Sequence, residues 1–229
     1  MWHPVDCLNG ITLPRRRTLS SPILNLFAKA PQPGQVKTRL QKGCSAAKAA
    51  QIARELVICS VELTTQSWPG EVQLQVWPDA GHPFFRWLHG DYAVALFTQV
   101  KGDLGAKITA TLDDGISRRG AAAVMGCDVP HCPGEVLEQA YFSLTRGKNV
   151  IGLCDDGGYY FIGLTVPVPA LFQNIPWGSD KVGSTTLAKA DALGIEFDTH
   201  LPMLRDIDYW EDLEAAAHTC HKLLPLLQC

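Results

Sequence analysis

Short apolar runs alternate with longer patterns of helical period over most of the chain. The run Ile23-Leu24-Asn25-Leu26 opens the series and predicts a strand over residues 23–28. Ser45 is suited to cap a helix N-terminus. Beyond it Ala49, Ile52, Ala53, Leu56, Val57 and Val61 recur as on the buried face of a helix, and Trp68-Pro69-Gly70 stops that pattern. Val72, Leu74 and Val76 alternate with polar residues and read as a strand ended by Pro78. A short helix over 84–91 and a short strand over 93–99 follow.

The next helix is marked by Leu104, Ile108, Leu112 and Ile116. Residues 121–125, Ala-Ala-Ala-Val-Met, are apolar throughout, as expected of a central strand covered on both faces. A helix opens near Pro133, a favourable first-turn residue, with Val136, Leu137, Ala140, Tyr141 and Leu144 on one side. Strands over 149–153 and 159–164 flank a Gly157-Gly158 turn, which predicts that the second folds back beside the first. A helix over 180–193 ends at Gly194, in the place of a C-terminal stop. A short strand over 195–197 comes next. One final helix is expected after Asp206-Ile207-Asp208, with Trp210, Leu213, Ala217, Cys220 and Leu224 as its buried stripe.

This alternation predicts an α/β fold, a Rossmann-like, mainly parallel sheet flanked by helices on both faces. Ligands of such sheets bind beyond the carboxyl ends of the strands, where the loops after residues 28, 125 and 153 should open. Residues 1–21 lack any period and read as a loosely ordered leader. Residues 22–229 are expected to form a single domain.

A formal net charge of −3 argues against a nucleic-acid partner, and Arg15-Arg16-Arg17 is the only basic run, placed in the leader. The eight cysteines are scattered, with no Cys-x-x-Cys spacing for zinc, so free thiols in a reducing compartment are expected. No signal-peptide core and no run long enough to cross a bilayer is present. The expected location is cytoplasmic, with no membrane partner.

Candidate chemistry concentrates in four places. In Phe27-Ala28-Lys29-Ala30-Pro31-Gln32-Pro33-Gly34-Gln35-Val36-Lys37-Thr38-Arg39-Leu40, two prolines stiffen a loop and Gly34 permits a positive φ. Lys29, Lys37 and Arg39 there offer charge-assisted donors to anionic oxygen; the plainer alternative is a solvated strand-to-helix connection. It is not a P-loop, since Val36 stands where glycine is required, and Gly-x-Gly-x-x-Gly is absent. Asp128, at the end of the central strand, suits a hard cation such as Mg²⁺, or else the capping of the following helix. Asp206 and Asp208 point the same way if that segment is extended, so both can face one ion, or cap the helix at Trp210. Asp155-Asp156-Gly157-Gly158 reads either as an anion-holding nest or as a tight turn, and Asp103, with Gly102 and Gly105, as a helix start. His131 and His200 are assigned surface or structural roles, and no Ser/His/Asp arrangement stands out.

Taken in order, the basic loop, Gln99-Val100-Lys101-Gly102-Asp103-Leu104-Gly105, Gly126-Cys127-Asp128-Val129-Pro130, Asp156-Gly157-Gly158-Tyr159-Tyr160 and Asp206-Ile207-Asp208 resemble one family. It is the uncharacterised glycosyltransferase-A-like family of the selenodomain-associated transferase type. That family is similar to 2-phospholactate or phosphoenolpyruvate guanylyltransferase and, more distantly, to molybdenum cofactor guanylyltransferase. The resemblance spans residues 23–215. It implies a nucleotide-diphospho-sugar transferase (GT-A) fold working with Mg²⁺ (or Mn²⁺).

By motif position, Lys29, Gly34, Lys37 and Arg39 would contact nucleotide phosphates, with Asp103 on the nucleotide side. Asp128, Asp206 and Asp208 would hold the metal, Lys37 and Asp128 would be catalytic, and Asp156, Gly157 and Gly158 would hold the acceptor. Three positions depart from the family: Lys107-Ile108 for Arg-Met, Cys127 for Thr or Ser, and Trp177-Gly178-Ser179 for Trp-Ser-Thr. The leading expectation is a Mg²⁺-dependent nucleotidyltransferase that moves a nucleoside monophosphate from a triphosphate to a small phosphorylated or hydroxyl acceptor and releases pyrophosphate. The alternatives are a glycosyltransferase using a nucleotide-sugar and a non-catalytic nucleotide-binding module.

Overall fold

A computed structural model describes residues 21–228. The predicted leader therefore lies almost entirely outside the described residues, as do Cys7, Cys229 and the arginine run. Seven strands form one sheet: β1 (Ile23–Lys29), β2 (Val72–Trp77), β3 (Ala95–Thr98), β4 (Ala122–Gly126), β5 (Asn149–Leu153), β6 (Tyr159–Leu164) and β7 (Phe197–Asp198). Their spatial order is β3-β2-β1-β4-β6-β5-β7. Every pairing is parallel except those of β6, which runs antiparallel to both β4 and β5. The Gly157-Gly158 turn thus returns the chain beside β5, as its glycines predict. The carboxyl ends of β1, β4 and β5 share one edge.

The helices are α1 (Ala46–Ser67), α2 (Pro83–Tyr92), α3 (Leu104–Arg119), α4 (Gly134–Thr145), α5 (Val182–Ala192) and α6 (Trp210–Ala217). Ser45 caps α1 as its sequence predicts, its side chain accepting the Lys48 N–H. On one face of the sheet Leu24, Leu26, Leu74, Ala123 and Met125 pack with α1, α2 and α4. On the other, Ala122, Val124, Ile151 and Ile162 meet α3 and α5. The strand β4 contributes to both layers, which is why its sequence is apolar without alternation. Each fully buried Leu or Ile in these layers stabilises the fold by roughly 2 kcal/mol.

A third apolar cluster covers the outer side of α1. Leu40, Ile52, Leu56 and Cys59 pack there against Ile207, Leu213, Ala217, Leu223 and Leu226. The C-terminal chain corrects one expectation. Instead of one final helix, α6 stops at Ala217 and a 3-10 segment, His221–Leu227, follows with Pro225 inside it. Proline has no N–H to give and its ring collides with the carbonyl four residues back, so an α-helix cannot continue through it. The buried stripe shifts with the break: Leu224 is exposed, while Leu223 and Leu226 are buried. Among the described residues no helix is long and apolar enough to cross a membrane, and Cys59, Cys127, Cys132, Cys154 and Cys220 are free thiols.

The register of β5 against β6 shifts between Gly152 and Leu153. Tyr160 and Phe161 consequently face the same apolar layer, and Tyr159 turns to the other with Ile162 and Leu164. An extra residue of this kind bends a strand and re-aims its end.

Candidate functional site

The basic loop leaves the carboxyl end of β1 and is closed on itself by Lys29, whose Nζ donates to the Gln35 carbonyl at 2.7 Å. Gly34 takes φ +78° with open space around it. Lys37 is also left-handed, at φ 46°, a conformation that costs a non-glycine residue about 1 kcal/mol. Something must hold it there, and its side chain shows what. Lys37 Nζ lies 2.6 Å from Asp128 Oδ1 and 3.1 Å from Asp208 Oδ1, with only 9% of the side chain exposed. Burial works against the ammonium, but the two carboxylates outweigh it and raise the Lys37 pKa above its ordinary value. Arg39 Nη1 donates to Asp208 Oδ2 at 2.6 Å, and its guanidinium lies 5.9 Å from the centre of the Tyr209 ring.

The carboxylates are placed by backbone pairing. Asp128 follows β4 by two residues, and its carbonyl accepts the Ile207 N–H at 2.9 Å. Ile207 is fully buried in the cluster outside α1, so the residues on either side of it turn back toward the loop. The Asp212 carboxylate accepts the N–H groups of Asp208 and Tyr209 and opens α6. Burial pushes the Asp208 carboxyl up, yet Lys37 and Arg39 prevail and hold it below the usual range.

Asp206 has a different environment. Its Oδ1 accepts the Cys154 thiol at 3.0 Å. Burial, followed by the nearby charges of Asp128 and Asp156, pushes its pKa up to about 6. Asp128, Asp206 and Asp208 are thus brought to one edge, as expected, but they are not one open ligand set. The Lys37 ammonium occupies the space between Asp128 and Asp208. Among the described residues, the three groups whose ligand atoms all lie within 4.8 Å of one another are Cys154, Asp156 and Asp206. A thiol is a poor partner for Mg²⁺. The carboxylate oxygens of Asp128, Asp206 and Asp208, which line one cavity, are donors of the hard type that a divalent cation takes.

A cavity of about 510 Å³ opens beside these groups. Phe27, Val124 and Ile162 line it from the sheet, Leu104 and Ile108 from α3, and Tyr159 from the bulged start of β6. Lys29, Lys37, Arg39, Asp128, Asp206 and Asp208 all stand on it. A second groove of about 300 Å³ shares Arg39, Asp206 and Asp208 and adds Asp155, Asp156 and Arg205. Arg205 ties the β5–β6 turn to α6, with Nε 2.8 Å from Asp155 and Nη1 3.6 Å from Asp212.

Two of the expected binders also make bonds within their own segments. Asp103 is the N-cap of α3, its Oδ1 accepting the Ala106 N–H at 2.8 Å. In the Asp155–Gly158 turn, two of the N–H groups have partners inside the turn. Gly157 donates to the Cys154 carbonyl and Gly158 to Asp156 Oδ1, so these two N–H groups are bonded within the turn itself. Gly157 is nevertheless constrained, because a Cβ there would sit 2.0 Å from the Asp180 carbonyl oxygen. Of the three departures, Lys107 holds its Nζ 4.3 Å from the centre of the Trp77 ring. Cys127 donates its thiol to the Phe27 carbonyl, a bond that links the ends of β1 and β4. His200 is exposed and pairs with Asp198. His131 is partly buried, with a lowered pKa caused by that burial.

Sequence reasoning missed Cys154, Tyr159 and the Leu104–Ile108 wall. A cysteine closing an apolar strand has no local mark of a carboxylate partner. The two positions in α3 were read only as core.

In sequence, no curated protein matches the chain. In structure, it is similar to a candidate nucleotide-diphospho-sugar transferase from Desulfovibrio desulfuricans G20, with a TM-score of 0.79 and 24% identity over 91% of this chain and 97% of that one. Rv0371c from Mycobacterium tuberculosis H37Rv, solved as a complex with manganese, gives a TM-score of 0.53 at 12% identity, covering 86% of this chain and 99% of that one. CMP:2-keto-3-deoxy-manno-octonic acid synthetase, solved with CTP, gives 0.54 at 10% identity, covering 89% of this chain and all of the other. At these identities the likeness is one of fold, a nucleotide-diphospho-sugar transferase-like sheet with its flanking helices. The family model that matches spans residues 60–179, which include the Asp103 cap, Asp128 and the Asp155–Gly158 turn but neither the basic loop nor Asp206 and Asp208. The chain belongs to that family, described as an uncharacterized protein conserved in bacteria (DUF2064).

Proposed function

We propose that the protein is a nucleotidyltransferase, dependent on Mg²⁺ or Mn²⁺, that moves a nucleoside monophosphate from a triphosphate to a small phosphorylated or hydroxyl acceptor and releases pyrophosphate. The observation that carries this reading is Lys37, held between Asp128 and Asp208 on the rim of an open cavity at the carboxyl ends of the strands. Cations from one loop and carboxylates from two others share that rim, which is the donor and acceptor set that a metal–triphosphate requires. The fold relatives include a protein solved with CTP and another solved with manganese.

In this reading Lys29, Lys37 and Arg39 bind the phosphate oxygens and stabilise charge that develops on the leaving pyrophosphate. Asp128, with Asp206 and Asp208, would hold the cation, which when bound supplies Lewis-acid stabilisation of the transferring phosphoryl group. The apolar floor of Phe27, Val124 and Ile162 keeps bulk water from competing with the acceptor. Asp156, with the Gly157-Gly158 turn behind it, and Arg205 line the second groove, where an acceptor would lie. An acceptor that already carries a phosphate needs little general-base chemistry.

The test is a panel of nucleoside triphosphates and nucleotide-sugars with Mg²⁺ or Mn²⁺, read first by thermal unfolding. At least one nucleotide should raise the Tm only when the metal is present; no shift from any member would remove the reading. Product analysis then separates the enzyme classes. Pyrophosphate supports nucleotidyl transfer, and a nucleoside diphosphate would assign the site to glycosyl transfer instead.

A further inference from the structure

Lys37 does more than wait for a phosphate. Its ammonium contacts Asp128 and Asp208 at 2.6 and 3.1 Å and is almost fully enclosed, and its backbone is left-handed to bring it there. Asp208 is held a second time by Arg39 at 2.6 Å. The neighbouring cation of the same loop is spent differently, since Lys29 reaches only the Gln35 carbonyl. Two of the three carboxylates in the proposed metal set are therefore already neutralised by the protein's own cations. The third, Asp206, is left with Cys154 as its hydrogen-bond donor. A divalent ion entering between Asp128 and Asp208 would meet an ammonium in its place, and two cations do not share one pair of carboxylates at contact distance.

We infer that Lys37 is a built-in occupant of the divalent-cation position, which excludes the free ion until phosphate oxygens draw the ammonium away. This rests on the proposed nucleotidyltransferase reading and deepens it. The free protein would bind a divalent cation poorly, and a metal–nucleotide would bind as a unit. Phosphate oxygens offer the displaced ammonium new partners at the moment the cation takes its old ones. By linkage, nucleotide and metal then strengthen each other's binding by the same factor. The left-handed backbone at Lys37 favours such an exchange, because a strained residue held by its contacts moves when those contacts are replaced.

The experiment titrates the full chain with Mn²⁺ alone and follows free Mn²⁺ by its electron paramagnetic resonance signal. Lys37→Met keeps the apolar stem and removes the ammonium. It should bind Mn²⁺ about tenfold more tightly than the native chain, as expected if the native position is open about a tenth of the time. Lys37→Gln, also neutral, should gain in the same direction and serves if the methionine variant does not fold, as checked by circular dichroism. Lys29→Met removes an equal charge from the same loop, but one whose ammonium is bonded to the Gln35 carbonyl rather than to the carboxylates, and should change affinity less than about twofold. Adding Asp128→Asn to Lys37→Met should abolish the gain.

Unchanged Mn²⁺ affinity in both Lys37 variants, or an equal gain in Lys29→Met, overturns the inference. Its failure is distinguishable from failure of the transferase reading. Pyrophosphate release without any Mn²⁺ gain in the Lys37 variants removes the inference alone. A gain in a protein that turns over no nucleotide leaves the occupant in place and removes the transferase.

Discussion

Cys154 donates its thiol proton to Oδ1 of Asp206 across 3.0 Å, joining residues 52 positions apart. Backbone pairing runs beside this contact. Leu204 donates to the Leu153 carbonyl and Asp155 to the Leu204 carbonyl, at 3.1 and 3.0 Å, so the segment before α6 is stitched to the end of β5. The side-chain bond then sets where the carboxylate at its tip points.

Removing that donor should be felt in stability. Cys154→Ala leaves a largely buried carboxylate oxygen without its partner, a loss of about 1–2 kcal/mol. Cys154→Ser keeps a donor in place and should cost less. Urea unfolding of the two variants checks this, and an alanine variant as stable as the serine one would show that the bond contributes nothing.

Asp206 also predicts a pH dependence. The unfolded chain gives up this proton near the ordinary value of 3.8, while the folded protein, because of burial and then Asp128, keeps it to about 6. Between those values the folded state binds more protons, so stability falls as pH rises and levels off above about 6. The loss amounts to roughly 2 kcal/mol. Asp206→Asn should flatten this part of the profile and be more stable than the native protein at pH 7.5. Unfolding midpoints measured with a chelator present, at pH 4.5 and 7.5, would show whether the slope belongs to Asp206.

Gly157 supports the site from beneath. Its φ of +89° already disfavours a side chain, and an added Cβ would meet the Asp180 backbone at 2.0 Å. Gly183 donates to the Gly157 carbonyl at 2.8 Å, so the turn cannot retreat without breaking its contact with α5. Gly157→Ala should destabilise the protein by about 2 kcal/mol or more. Gly34→Ala has only the positive φ to overcome and should cost about 1 kcal/mol. Equal midpoints for the two variants would contradict the packing argument.

Asp128→Asn addresses function. Asp128 is about half exposed, and Lys37 retains Asp208, so the change in unliganded stability should stay within about 1 kcal/mol. Thermal stabilisation by nucleotide and metal together should vanish. Retention of that stabilisation would exclude Asp128 from the cation site.

Much of the fold was legible because its signals are local. The unbroken apolar run of β4, the Ser45 cap of α1 and the Gly-Gly turn before β6 each specify their element within a few residues. The last helix was misread because its apolar spacing continues past Ala217, and Pro225 was given too little weight against it. The bulge at Tyr160 was invisible, since Tyr159 to Ile162 are apolar or aromatic whichever way they face. The site was legible as a set of residue types: the loop cations and the three aspartates line one cavity. Their pairing was not. The contacts of Lys37 with Asp128 and Asp208, and of Cys154 with Asp206, join distant segments, and nothing in a local pattern records which carboxylate a given cation will face.

The distance along the chain between those partners has a consequence for synthesis. Lys37 and Asp208 are separated by 171 residues, and the cluster that seats Ile207 includes Leu213, Leu223 and Leu226, which come later still. A chain made from its N-terminus therefore presents Lys37 and Arg39 to the surrounding solution well before Asp208 exists to pair with them. Asp128 comes earlier and can meet Lys37, but Arg39 has no carboxylate partner in that interval, and the full set of ion pairs closes only once the last helix has docked.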